Sequence, residues 1–152
     1  MDSRFTLEKR IQAELASYDG KMCLYADDFH GNIICLGADE RVETASTVKV
    51  YILASLFWQV ELGRASLEDM IPYEEKHVVD GSGVLCALEP GASFRVKDAA
   101  TLMIIVSDNI ATNMIIDYLG IDTINACIRE LGCNDTVLYN SLHFDRFDRL
   151  GT

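Results

Sequence analysis

The sequence predicts an α+β fold in which one β-hairpin is followed by several helices and the sheet is left unfinished. Three observations carry this. Hydrophobic residues at 49% and charged residues at 24% are globular proportions. Two short apolar runs flank a turn-rich stretch near the amino terminus, and from residue 44 onward apolar residues recur at helical spacing. A lone two-stranded hairpin is marginal in water, so the chain is expected to lack strands that such a sheet would need.

The elements follow in order. Leu7, Ile11, Leu15 and Tyr18 recur at helical spacing and Gly20 stops the run, which predicts an amphipathic helix over residues 4–18. Residues 21–26 and 32–37 pair as the hairpin around Asp27-Asp28-Phe29-His30-Gly31. Residues 44–62 are apolar nearly all round after Lys49, which predicts a buried central helix ended by Gly63. Ser66-Leu67-Glu68-Asp69 has the spacing of a capping box opening a short helix, interrupted by Pro72. Asp80-Gly81-Ser82-Gly83 and Pro90-Gly91 mark turns. Residues 97–106 and 110–119 form two helices with Ser107-Asp108-Asn109 at their junction, and Asp122 caps a last helix ending at Gly132.

Composition excludes several functions. A net charge of −11 with no basic run disfavours nucleic acid, whose phosphates need clustered Lys and Arg. The longest apolar run, around residues 102–106, is far too short to span a membrane. Met1-Asp2-Ser3-Arg4 lacks a signal-peptide pattern, so the chain as written is expected to be cytoplasmic. Five cysteines without CxxC spacing fit free, mostly buried thiols in a reducing compartment; Cys23 and Cys35 could face each other across the hairpin. His30, His77 and His143 show no ligand spacing to them, so neither metal nor cofactor is expected.

The chemistry lies in two motifs. In Ser46-Thr47-Val48-Lys49 the serine enters the first turn of a buried helix, where unpaired N–H groups and the helix dipole favour negative charge. Lys49, three residues on, shares its face, and a desolvated lysine can act as a base near neutral pH. With nine serines and five lysines, such a pair arises by chance roughly one time in four. Ser107-Asp108-Asn109 is rarer, on the order of a few per cent by chance, and its plain reading is a helix cap. Functionally, Ser107 would move a proton to a leaving group, Asn109 would hold a substrate carbonyl, and Asp108 would brace the junction.

These motifs in their flanks resemble the penicillin-recognising serine hydrolases, class A β-lactamases especially, for which S-x-x-K followed by S-D-N is a signature. Glu43-Thr44-Ala45-Ser46-Thr47-Val48-Lys49-Val50 is similar to the family's nucleophile helix entry. Leu102-Met103-Ile104-Ile105-Val106-Ser107-Asp108-Asn109-Ile110-Ala111-Thr112-Asn113 is similar to its second motif. The resemblance implies acylation of Ser46 by a β-lactam or peptide-like substrate, Lys49 as the base, Ser107 as proton relay, Asn109 as substrate-binding and Asp108 as structural. It implies a β-lactamase/DD-peptidase-like fold, of which residues 1–152 are the amino-terminal portion: helix and hairpin over 1–43, helical lobe over 44–152. Relatives of this kind are typically exported.

The family's Lys-Thr-Gly strand, which supplies half of its oxyanion hole, has no match here. An amino-terminal fragment, a proteolysed product, or one half of an associating assembly is therefore expected, inert alone, with self-association or pairing to a carboxy-terminal half. The E-x-x-L-N deacylation glutamate is also missing from the stretch Tyr139-Asn140-Ser141-Leu142-His143-Phe144-Asp145, with Asp135, Asp145 or Asp148 as substitutes. Acylation without rapid hydrolysis is the implied outcome. Two alternatives stay open: a non-catalytic interaction module of the same fold, and a serine amidase, esterase or DD-peptidase-like enzyme.

Overall fold

A computed structural model describes residues 3–143, and the chain divides into two compact units, Met1–Glu43 and Thr44–Thr152. In the first unit, α1 (Ser3–Leu15) precedes an antiparallel hairpin of β1 (Leu24–Asp27) and β2 (Ile33–Leu36). α1 stops three residues short of the expected 18; Ile11 and Leu15 are half-buried while Leu7 is exposed. The hairpin tip is built by carboxylates, since Asp28 accepts from the His30 and Asn32 N–H groups at 2.8 and 3.0 Å. The Asn32 side chain and those backbone donors hold the Asp28 carboxyl below its usual range. The register sets Tyr25, not Cys23, opposite Cys35, so the hairpin does not bring those two thiols face to face.

The second unit packs four helices around one core: α2 (Val48–Glu61), α3 (Val96–Ile105), α4 (Asn109–Leu119) and α5 (Ile121–Glu130). Ile52 and Leu56 of α2 meet Ala99 and Met103 of α3, Ile110, Met114 and Ile115 of α4, and Ile124 and Ile128 of α5. The most buried helix is α4, whose residues from Asn109 through Ile116 are all buried, polar ones included. α2 was expected to hold that place, yet Val50 and Phe57 are 59% and 52% exposed. An all-apolar helix is buried only where partners cover it, and α3, α4 and α5 cover one side of α2.

Two further expectations are corrected. Residues 66–69 form a turn, with Asp69 N–H donating to Ser66 O at 3.2 Å and the Asp69 carboxylate accepting from Ser66 N–H. Instead of a helix, β3 (Met70–Pro72) follows and pairs antiparallel with β4 (Ser93–Arg95), Ile71 opposite Phe94. Pro72 is tolerated because it ends its strand. α5 begins at Ile121 after Gly120, whose φ of 80° suits glycine, and Asp122 sits inside the first turn rather than at the cap. Of the five thiols Cys127 alone is buried; Cys23 and Cys133 are half-buried and Cys35 and Cys86 exposed. Among the described residues no helix is long and apolar enough to cross a membrane.

Candidate active site

Ser46 lies in a 3-10 turn, Ala45–Thr47, that runs directly into α2, and Lys49 lies one turn further on. Ser107 and Asn109 come from the α3–α4 junction. Lys49, only 2% exposed, is where the two motifs meet. Its Nζ donates to Asn109 Oδ1 at 2.8 Å and to Ser107 O at 2.9 Å. It lies 2.8 Å from Ser107 Oγ and 3.2 Å from Ser46 Oγ, and Ser107 Oγ donates to Ser46 Oγ at 3.1 Å.

The chemical types of these four oxygens matter. The Ser107 carbonyl and the Asn109 amide oxygen can only accept, so they take two of the N–H groups of the amine, charged or neutral. The remaining neighbours of Nζ are hydroxyls, which can accept from it or, once the amine is neutral, donate to it. Burial lowers the Lys49 pKa from 10.5, with the Asp108 charge opposing in part. Ser46 Oγ lies 3.2 Å from Lys49 Nζ and 3.1 Å from Ser107 Oγ, which is itself 2.8 Å from Nζ. Ser46 itself is exposed, open to a reactant.

The backbone is bent to make this meeting. Ala45 and Ser107 have φ of 44° and 55°, the left-handed region that costs a residue with a side chain about 1–3 kcal/mol. At Ser107 that conformation turns both the carbonyl and the hydroxyl toward Lys49.

Asp108 turns away from the serine. Its carboxylate, 1% exposed, accepts from Val84 N–H (2.6 Å), Leu85 N–H (2.9 Å) and Ala111 N–H (2.9 Å). It thereby caps α4 and ties the 80–85 loop to it. The same loop is tied twice more, by Asn109 N–H to Ser82 O at 2.9 Å and Asn109 Nδ2 to Asp80 O at 3.1 Å. One amide hydrogen of Asn109 is used there. Gly83 is required for the approach: its φ is 129°, and a Cβ would overlap the Asp108 carboxylate.

Asn113, one turn beyond Asn109 and the last residue of the second motif's flank, has no role in the sequence reading. Its Nδ2 donates to His77 O (3.2 Å) and Leu142 O (3.0 Å), and its Oδ1 accepts from Leu142 N–H (2.8 Å). The signal was there, an amide at i+4 from Asn109 in an otherwise apolar run. Of the substitutes for a deacylation base, Asp135 is exposed in the turn after α5, and Asp145 and Asp148 lie outside the described residues.

One cluster has metal-like spacing: ligand atoms of Glu74, His77 and Asp117 lie within 4.8 Å of one another. Lys76 already supplies the cation, 2.7 Å from Glu74 Oε2 and 3.1 Å from Asp117 Oδ2. His77 Nδ1 accepts from Glu74 N–H at 3.0 Å, which leaves the ring hydrogen on Nε2, where a metal would need a lone pair. The donor set fits an ion-pair network better than a metal.

Comparison with known proteins agrees with this geometry. The family described as the beta-lactamase enzyme family matches residues 6–150. PBP-A superposes with a TM-score of 0.83 at 32% identity, over 90% of this chain and 53% of that one. A β-lactamase from Sphaerobacter thermophilus gives 0.84 at 30% identity, over 93% and 53%. A variant of PBP-A, determined as an acyl-enzyme complex with penicillin G, gives 0.83 at 31% identity, over 90% and 53%. Among curated proteins none matches. The chain thus spans about half the length of the solved structures it matches.

Proposed function

Because the chain belongs to the beta-lactamase enzyme family, we propose that it carries the nucleophile and base of a serine hydrolase acylated at Ser46 by a β-lactam or a related amide or ester. The single observation that carries the reading is Lys49, buried and bonded to two acceptor-only oxygens with two hydroxyls about its remaining valence. In the reaction, Ser46 Oγ bonds to the carbonyl carbon while its proton passes to Lys49, directly or through Ser107. The carbon–nitrogen bond then breaks, and the leaving nitrogen takes a proton from Ser107, which Lys49 replaces. Asn109 holds the substrate amide with its second Nδ2 hydrogen, and Asp108 keeps Ser107 and Asn109 in place.

The reading is of the whole protein. The chain spans about half of the structures it resembles, and no Lys-Thr-Gly sequence occurs in it. We assign the oxyanion-holding strand to protein beyond these 152 residues, in the same chain or in a partner. The 152 residues alone are then inert, which also suits an interaction module that retains the fold. Weighing the natural full-length protein after incubation with penicillin G tests the enzyme reading. A covalent adduct in the parent but not in Ser46→Ala supports it, and an adduct-free parent favours the non-catalytic module.

A further inference from the structure

The loop beside Asn109 runs through Asp80-Gly81-Ser82-Gly83, and backbone oxygens make its joints to the site. Asp80 O accepts from Asn109 Nδ2 at 3.1 Å, and Ser82 O accepts from Asn109 N–H at 2.9 Å. Asp80, Gly81 and Ser82 are all exposed, so the one charged side chain of this stretch meets solvent. Among the described residues no lysine, arginine or histidine pairs with the Asp80 carboxylate. With two glycines and a serine after it, the loop leaves room for a substrate group next to that carboxylate.

The place of Asp80 relative to a bound substrate follows from the Asn109 carboxamide. Lys49 and Asp80 bind its opposite ends, Lys49 at Oδ1 (2.8 Å) and Asp80 at Nδ2. The two Nδ2 hydrogens diverge by about 120° in one plane, so acceptors at hydrogen-bond distance from them stand about 5 Å apart. One of those acceptors is the Asp80 carbonyl, and the other, on the reading above, is the substrate amide oxygen. A charge on the substrate carbon next to that amide carbonyl thus comes within about one screening length, roughly 8 Å, of the Asp80 carboxylate.

We propose that Asp80 is a specificity-determining residue, which favours amide substrates carrying an ammonium group beside the bound amide and disfavours anionic ones. The inference rests on the acylation reading above and adds to it the charge of the substrate. Its scale is set by exposure: an exposed ion pair changes a rate by about threefold, and less as salt rises. The net charge of −11 adds a general field of the same sign. The share owed to Asp80 is therefore read from variants at that one position.

The test uses the full-length protein with ampicillin, penicillin G and carbenicillin, weighing the covalent adduct over time. On the carbon next to the amide these carry an ammonium, a hydrogen and a carboxylate in turn. At about pH 6, below the usual range of an α-amine, the first is charged. The parent is expected to react in that order. In Asp80→Asn the ratio of the ampicillin to the carbenicillin rate should fall about tenfold, threefold from each side, and further in Asp80→Lys. Each protein is compared with itself, so a loss common to all the penicillins, such as poor folding, cancels. An unchanged ratio in Asp80→Asn would overturn the role of Asp80 alone. A parent that forms no adduct with any of them overturns the acylation reading, and this inference with it. The parent also gives a check that needs no variant. Raising salt from about 0.05 to about 0.5 M should shrink its ratio, and a ratio indifferent to salt would overturn the proposal.

Discussion

Replacing Asp108 by asparagine separates two accounts of this residue. If Asp108 merely capped α4, asparagine would serve as well, since the two are equivalent N-caps. The structure gives the carboxylate two jobs on opposite sides: Oδ1 takes the Ala111 N–H, and Oδ2 takes the Val84 and Leu85 N–H groups. An asparagine has one acceptor oxygen, so either way round its NH2 faces a backbone donor. Losing one bond to a charged acceptor and leaving a buried N–H unpaired costs roughly 2–4 kcal/mol, after part is offset by removal of a buried charge. A mid-range loss of about 3 kcal/mol lowers Tm by about 6–12 °C in a chain of this size. Thermal or urea unfolding of the parent, Asp108→Asn and Asp108→Ala measures it. Asp108→Ala, which loses all three bonds, should fall at least as far as Asp108→Asn; Asp108→Asn at parental stability would refute the two-sided account.

Other expectations are as direct. Gly83→Ala should cost roughly 2–4 kcal/mol by the same assay, because its φ of 129° is strained for alanine and its Cβ meets Asp108. Burial lowers the Lys49 pKa, so the unfolded chain holds that proton more tightly and stability climbs with pH from the folded-state value up to 10.5. Lys49→Met should remove that climb, seen as the difference between the two alkaline stability profiles. In native protein, thiol reagents should modify Cys35 and Cys86 first and Cys127 only on unfolding; early loss of Cys127 would contradict its burial.

What could be read from the sequence was what neighbouring residues determine together. Ser46 and Lys49 are three apart on one helical run, and Ser107-Asp108-Asn109 interrupts an apolar stretch, so both sites of interest announced themselves locally. The pairing of Met70–Pro72 with Ser93–Arg95 did not, because each strand has three residues and its partner lies far along the chain. The 66–69 stretch carried a helix-start pattern, yet its carboxylate bonds Ser66 N–H and the Tyr118 hydroxyl at 2.5 Å, and a turn results. Asn113 and Gly83 matter through groups 24 or more positions away, His77, Leu142 and Asp108, which no local spacing encodes. The exchange of places between α2 and α4 has the same origin: apolar character records what a helix can bury, not what is there to cover it.

The central claim is that Lys49 takes the Ser46 proton, and the pH dependence of acylation tests it most directly. The rate of adduct formation by the full-length protein should rise with pH as Lys49 loses its proton, levelling off below the free-lysine value of 10.5. Lys49→Arg keeps the charge but does not give up its proton, and should lose both the rise and at least about 100-fold in rate. A parental profile without that rise, or an arginine variant that acylates at the parental rate, would contradict the account.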